Sequence, residues 1–245
     1  SKTTDSTITI STSDNATANV TIQDINISST GDAIDVGSSS ANITLEGDNK
    51  IFSESGSALH VSDGDVTITG SGSLEAEIGD STENENDNAI IGSHKGEDMS
   101  GKIHITGSST VTTEDDEEDD FRGDGAGIGS GEDGNMSGSI TIDGNAKVNA
   151  FSHEDGAGIG SGEGGNMSDS GSITISGNAQ VTAGSGWDGA GIGAGESAYD
   201  PQKGEMSGTI TIGGNAKVTA WSEEGGTGIG SGEAVSYTHL RAHET

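Results

Sequence analysis

Gly-Ala-Gly-Ile-Gly-Ser-Gly occupies residues 125–131 and recurs unchanged at 156–162. A close copy stands at 189–195, with weaker ones at 88–92 and 226–231. The large aliphatic of each copy (Ile91, Ile128, Ile159, Ile192, Ile229) is followed, except in the last, by an alternating pair: Ile103/Ile105, Ile140/Ile142, Ile173/Ile175 and Ile210/Ile212. A third apolar mark follows at Val111, Val148, Val181 and Val218. The first half carries the same triplet in degenerate form, as Val36, Ile43 and Ile51, then Val61, Val66 and Leu74. From second mark to third the step is always eight residues, whereas the other two intervals vary from 5 to 18. One rigid corner and two elastic ones describe a coil of three short strands per turn, not a hairpin. Short apolar strands at a period of 25 to 37 residues mark a solenoid. The expected fold is all-β, a parallel β-helix of about six full rungs.

Composition by itself argues the opposite. Ile, Val, Leu and Phe make 40 of 245 residues, about 16%, below the ~20% at which high net charge predicts disorder. The net charge is −32, from 41 acids against nine bases. A β-helix resolves the conflict. Each rung needs only a few inward side chains, because the next rung stacks identical ones ~4.8 Å above. The charge excludes nucleic acid as a direct partner, since phosphate binding needs clustered Lys and Arg. No apolar run approaches ~18 residues, so no membrane insertion is expected. Cysteine is absent, which removes disulfides and thiolate metal sites.

Asn145, Asn178 and Asn215 each follow a glycine five residues after the second-strand Ile. Their spacing predicts an asparagine ladder in the left-handed conformation at the rigid corner. Small Ala126, Ala157 and Ala190 are expected to let the first sheet approach closely. Residues 1–30 fall out of register and are read as an opening rung or cap, 31–233 as the repeat domain. Residues 234–245 break the pattern and resemble translated sequencing-adapter read-through at the end of a metagenomic reading frame. They are set aside as a non-native tail, with the natural chain expected to continue.

Gly-Asp-Ala-Ile-Asp-Val (31–36), Ile-Thr-Leu-Glu-Gly-Asp-Asn (43–49) and the Gly-Ala-Gly-Ile-Gly-Ser-Gly and Gly-Asn-Ala-Lys-Val repeats resemble a known family. It comprises the carbohydrate-binding domain-containing surface proteins of Clostridium-like gut and cellulolytic bacteria. The resemblance covers nearly all of 31–233. It implies a right-handed β-helix of pectate-lyase-like shape, calcium as cofactor, and attachment to acidic plant polysaccharide without catalysis.

Two columns of acids carry the chemistry. Asp87, Asp124, Asp155 and Asp188 lie four residues before the first-strand Ile, with Asp32 matched to them in the first rung. Glu132, Glu163, Glu196 and Glu233 lie four residues after it. Stacked carboxylates repel, and a divalent cation between rungs relieves them; Ca²⁺ accepts six to eight oxygens in loose geometry. The other reading is a solvated acidic edge that deters sideways aggregation. The corner before each first strand concentrates further acids, in 75–87, 114–124, 154–155 and 223–224, with Arg122 the only base there. Phe121, Phe151, Trp187 and Trp221 share that corner. They are placed either to stack on sugar rings or to cover the end of the hydrophobic column.

No enzyme is expected. A calcium-dependent pectate lyase needs a basic residue, usually Arg, beside its carboxylates, and Arg122 is the only Arg outside the tail. The Asn-Thr-Asp, Gly-His-Gly and Arg-Ile-Lys motifs of polygalacturonases are absent. His60, His94, His104 and His153 share no spacing that would build a ligand set. The expected function is a secreted or cell-surface module that binds an acidic polysaccharide such as polygalacturonate through bridging Ca²⁺. A structural adhesin stalk with no ligand of its own is the alternative, and a lyase-like enzyme a minor one.

Overall fold

The computed structural model describes residues 4–13, 16–79, 86–115, 123–197 and 203–232. Its strands pair in parallel and sort into three sheets of eight, seven and eight strands. In each turn the chain visits the first sheet (Ile128–Gly129, for example), then the second (Ser139–Ile142), then the third (Lys147–Ser152), before rising one rung. The result is a right-handed parallel β-helix, with no helical element among the described residues.

Stacking in register builds the core. Ile34, Leu59, Ile91, Ile128, Ile159 and Ile192 form one column up the first sheet, and each is at most 2% exposed. Ile103, Ile140, Ile173 and Ile210 make a second column; Leu74, Val111, Val148, Val181 and Val218 a third. Burying each such side chain contributes ~1.5–3 kcal/mol, and because rungs touch only their neighbours the gain accumulates along the array.

The glycines beside the isoleucine have two tasks. Gly129, Gly160 and Gly193 sit at φ of 148°, 147° and 143°, and a Cβ on any of them would lie 1.7 Å from the carbonyl oxygen of the glycine above. Gly158 faces the third sheet, where a Cβ would meet Gly184 N at 2.6 Å and its O at 2.7 Å. The alanines Ala126, Ala157 and Ala190 are fully buried, yet the close approach of first and third sheets rests on these neighbouring glycines. No side chain fits there.

The rigid corner carries the expected ladder. Asn178 Nδ2 donates to Asn145 Oδ1 at 3.1 Å, and Asn215 Nδ2 to Asn178 Oδ1 at 3.2 Å. The left-handed conformation belongs not to these asparagines but to Gly144, Gly177 and Gly214, at φ of 66°, 67° and 67°. Glycine takes the strained position, leaving the asparagine free to aim its amide.

The register of the first rungs also differs from the sequence reading. In the degenerate first half, Ile43 pairs with Ile68 and so shares the column of Ile105, while Ala41 and Val66 share the column of Ile103. Likewise Ile51 pairs with Ala76, and Asn49 with Leu74. The true register is displaced by two residues, which keeps the same face inward, and the eight-residue step survives because both ends move together. Asn49 thus occupies a core position at 2% exposure. Its amide donates to Glu46 O and Ser73 O, and its oxygen accepts from Ile25 N. Ile8–Thr9, Thr17–Gln23 and Asn26–Ser29 join the three sheets as a further full rung, the opening rung of the two alternatives read from the sequence.

Ile159→Asp, which buries an unpaired charge, and Gly160→Ala, which forces a Cβ into a carbonyl, are each expected to destabilise by at least ~3 kcal/mol. Gly213 has nothing within 4 Å of its missing Cβ, so Gly213→Ala should stay within ~0.5 kcal/mol. Urea midpoints of the three variants measure both effects. A wild-type midpoint for Gly160→Ala would contradict the stacking described.

Candidate functional site

The aspartate column is held by the main chain. The Oδ1 of each aspartate accepts the backbone N–H of the next: Asp124 N to Asp87 at 3.4 Å, Asp155 N to Asp124 at 3.3 Å, Asp188 N to Asp155 at 3.0 Å. The glutamates rise beside them on the following rung. Glu132 N donates to Asp87 O, Glu163 N to Asp124 O, and Glu196 N to Asp155 O, at 2.8–2.9 Å. The two columns are therefore one acidic seam, each glutamate set against the aspartate one rung below. Asp155, Glu163 and Glu196 present carboxylate oxygens that all lie within 4.8 Å of one another. Glu233 lies outside the described residues.

At the bottom of the seam stands a base. Lys95, four residues after Ile91, occupies the glutamate position of its rung. Its ammonium bonds Asp87 Oδ2 at 2.6 Å and also pairs with Glu132. Burial works to lower the Lys95 pKa, but the bonds to Asp87 and Glu132 outweigh it and hold the group above its usual range. One rung up, no base is bonded to Asp124, Asp155, Glu163 or Glu196 among the described residues, and the carboxyls respond. Burial, then the charge of Glu163, pushes Asp124 up to about 9. Burial, then the charge of Asp155, pushes Glu196 up to about 8. Asp155 and Glu163 are raised as well, by burial first. Glu132 reaches about 7, raised by burial and by Asp87 against the opposing pull of Lys95. The seam above Lys95 takes up positive charge readily, and its donors are all hard oxygens of the kind that suit Ca²⁺.

Other acids of this corner divide. Glu75 and Glu77 lie on the strand Ser73–Ile78 and both bond Lys50 Nζ, Glu75 at 2.8 Å. The corner is thus met by Lys50 and Lys95, and not by Arg122 alone. Residues 80–85 and 116–122, which include Phe121 and Arg122, lie outside the described residues.

The aromatics form a small outer patch. Phe151 and Trp221 flank Gly184 in the third sheet. A Cβ on Gly184 would lie 2.4 Å from the Trp221 ring, so the indole lies over the glycine. Phe151 and Trp221 centroids are 6.2 Å apart, and Phe151 meets His153 edge-on at 4.6 Å. Both rings are half-buried, which suits a cover over the sheet. Trp187, on the corner between Asp155 and Glu196 in chain order, is 52% exposed and directly available.

Histidine is where the sequence reading fails. Asp32 does not continue the aspartate column; it bonds His94 Nε2 at 2.8 Å. His60 stacks on His94 with centroids 3.8 Å apart and planes at 6°. Asp32, His60 and His94 can present ligand atoms within 4.8 Å of one another. Their numbers show no repeat because they come from three rungs of unequal length. The usable signal was the corrected register, with Leu59 in the isoleucine column, which places His60 directly after it and His94 three residues after Ile91.

In comparisons with known proteins, a Beta helix repeat family model matches residues 103–132, 140–163 and 173–196. Each matched segment opens on a second-sheet isoleucine and closes on Glu132, Glu163 or Glu196. The matched segments, about a third of the chain, fall within the parallel β-helix described above. No curated protein and no solved structure matches it in the same comparisons. No helix among the described residues is long and apolar enough to cross a membrane.

The raised carboxyls make a pH prediction for the β-helix kept free of divalent cations. A carboxyl whose folded pKa exceeds its unfolded value binds its proton more tightly when folded, so stability is full below the unfolded pKa and falls as pH rises through the folded one. For Glu196 that window runs from 4.5 to about 8, and Asp124 extends it from 3.8 to about 9. Chelated protein should therefore melt at a lower temperature at pH 8 than at pH 5, and the double change Asp124→Asn/Glu196→Gln should flatten the slope. A stability that rises over this range would refute the assignment.

Proposed function

We propose that this β-helix is a non-catalytic, extracellular or cell-surface module that binds an acidic polysaccharide through Ca²⁺ shared between the seam and sugar carboxylates. The β-helix repeat fold suits a surface or polysaccharide-related module. The observation that carries the reading is the change along the seam. Where Lys95 supplies a positive charge, Asp87 and Glu132 are bridged; above it the same geometry repeats without a base, in Asp124/Glu163 and Asp155/Glu196.

Asp124, Asp155, Glu163 and Glu196 are the residues that would hold the ion. Ca²⁺ supplies an electrophilic bridge when bound, completing its six to eight oxygens with water and ligand carboxylate. The protein's own part is to fix the carboxylates. The Asp oxygens are pinned by the main-chain N–H of the next rung, so the seam stays assembled despite its repulsion. With a net charge of −32, direct approach of a polyanion is unfavourable at low salt, and a divalent bridge reverses that sign. Trp187, exposed on the same corner, offers a flat face to the apolar side of a sugar ring, while Trp221 and Phe151 back the surface.

One observation favours the stalk instead. The Oδ1 atoms of Asp87, Asp124 and Asp155 already serve as acceptors that splice one rung to the next. That is a structural task requiring no ligand.

The two readings separate in a pull-down on polygalacturonate. Retention is expected with Ca²⁺, loss with chelator, a fall of about tenfold or more in Asp155→Asn/Glu163→Gln/Glu196→Gln (~1.4 kcal/mol or more), and a smaller fall in Trp187→Ala. Equal retention in all arms supports the stalk, and release of unsaturated or reducing ends from the polymer would establish an enzyme.

A further inference from the structure

Directly below the bare part of the seam, on the outside of the first sheet, three rungs contribute to a second polar cluster, whose His94 adjoins Lys95. Asp32 and Asp35 come from the turn containing the strand Ile34–Gly37, His60 from Leu59–Val61, and His94 and Glu97 from the corner after Ile91–Gly92. Asp35 and His60 are in register on adjacent strands. His60 is the sheltered member at 9% exposure, while the His94, Asp35 and Glu97 side chains are partly open to solvent. Three carboxylates thus converge on two imidazoles.

The arrangement is sided. The edge of the ring stack toward Asp32 holds His94 Nε2, at 2.8 Å from Asp32 Oδ1, and His60 Nδ1, at 3.8 Å from Asp32 Oδ2 and 3.0 Å from Asp35 Oδ1. The opposite edge faces Glu97: its Oε2 lies 2.9 Å from His60 Nε2 and 3.9 Å from His94 Nδ1. Asp32 Oδ1 is itself anchored by Ser57 N–H at 2.9 Å.

Hydrogen counting shows what this demands. A neutral imidazole has one N–H, yet both His60 nitrogens lie within 3.0 Å of a carboxylate oxygen. With Nε2–H donated to Glu97, the Nδ1 lone pair points at Asp35 and Asp32. With the tautomer reversed, the clash moves to Glu97. A positive charge at the Asp32 edge removes it. Neutral His94 has no such clash, since it donates Nε2–H to Asp32 Oδ1 while its Nδ1 lies 3.9 Å from Glu97, so the mismatch sits at His60. A metal ion at this edge would take the His60 Nδ1 lone pair and, with the His94 proton moved to Nδ1, that of His94 Nε2 as well.

We propose that Asp32, His60 and His94 form a binding site for a divalent first-row transition-metal ion, distinct from the calcium seam. One carboxylate and two imidazole nitrogens form a mixed set that suits Zn²⁺ and its neighbours better than Ca²⁺. Glu97 then plays the outer part, accepting from the far nitrogen of His60 and so fixing its tautomer, the usual companion of a metal-bound histidine. Asp35 adds negative charge at the metal edge, and water completes the coordination. Because the ligands come from three successive rungs, the bound ion clips them together.

The test is Zn²⁺ competition against a chromophoric chelator on the untagged 245-residue chain, in excess Ca²⁺, with Co²⁺ absorption as a second readout. One Zn²⁺ per chain is expected, with a raised melting temperature. Glu97→Gln should weaken it by ~10–100-fold, and His60→Ala or His94→Gln by more. His94→Gln should also melt normally without metal while losing the Zn²⁺ shift, which separates a lost ligand from a lost fold. Asp155→Asn/Glu163→Gln/Glu196→Gln should bind Zn²⁺ as wild type does, so this site and the seam can fail independently. Undiminished binding in His60→Ala/His94→Gln, loss in the seam triple variant, loss in His239→Ala/His243→Ala of the C-terminal tail, or no stoichiometric Zn²⁺ at all would each overturn the proposal.

Discussion

Everything in this protein follows from parallel stacking at the ~4.8 Å spacing of neighbouring strands. Each residue has its counterpart from the next turn directly above it, so whatever the repeat places at a position is repeated as a column. For isoleucine this is favourable, because a buried side chain meets its own kind on both sides. For glycine it becomes a requirement, since a Cβ at Gly160 would lie 1.7 Å from the carbonyl above. For asparagine it yields a ladder in which each amide donates to the one below. The same geometry applied to aspartate and glutamate brings like charges together.

The protein answers that repulsion in three different ways along its length. At Asp87 and Glu132 it substitutes a lysine for one member of the column. Along the aspartates it recruits main-chain N–H groups, which stabilise the acceptor oxygens without neutralising them. Above Lys95 the remaining charge is met by neither device in full, and the carboxyls of Asp124 and Glu196 hold protons well above their ordinary range. A proton and a divalent cation are alternative answers to the same electrostatic demand. That equivalence is why the raised carboxyl pKa values and the proposed Ca²⁺ site fall on the same residues.

The histidine cluster shows what stacking does where the repeat is least regular. In the N-terminal half the rungs have lost the strict Gly-Ala-Gly-Ile-Gly-Ser-Gly form, and each contributes a different residue to the same place. Asp35 lies under His60, and His94 closes over it from the next corner. A uniform repeat builds homogeneous columns, good for a core or for a line of like charges. A mixed donor set needs rungs that differ.

The sequence alone determined the coil, its three strands per turn, the identity of the isoleucine columns over 91–229, the asparagine ladder and the acid columns. All of these are periodic, and parallel stacking converts period directly into contact. It did not determine the register of the first rungs, because a two-residue slip leaves the same face inward and changes no pattern of apolar residues. Nor could it show that Lys95 bridges Asp87 and Glu132, that each glutamate meets the aspartate of the rung below, or that Asp32 joins His60 and His94. Those contacts depend on how far each elastic corner carries the chain before it rejoins the stack. Corner length is legible in the residue numbers, but where its side chains come to rest is decided only when the rungs above and below are in place.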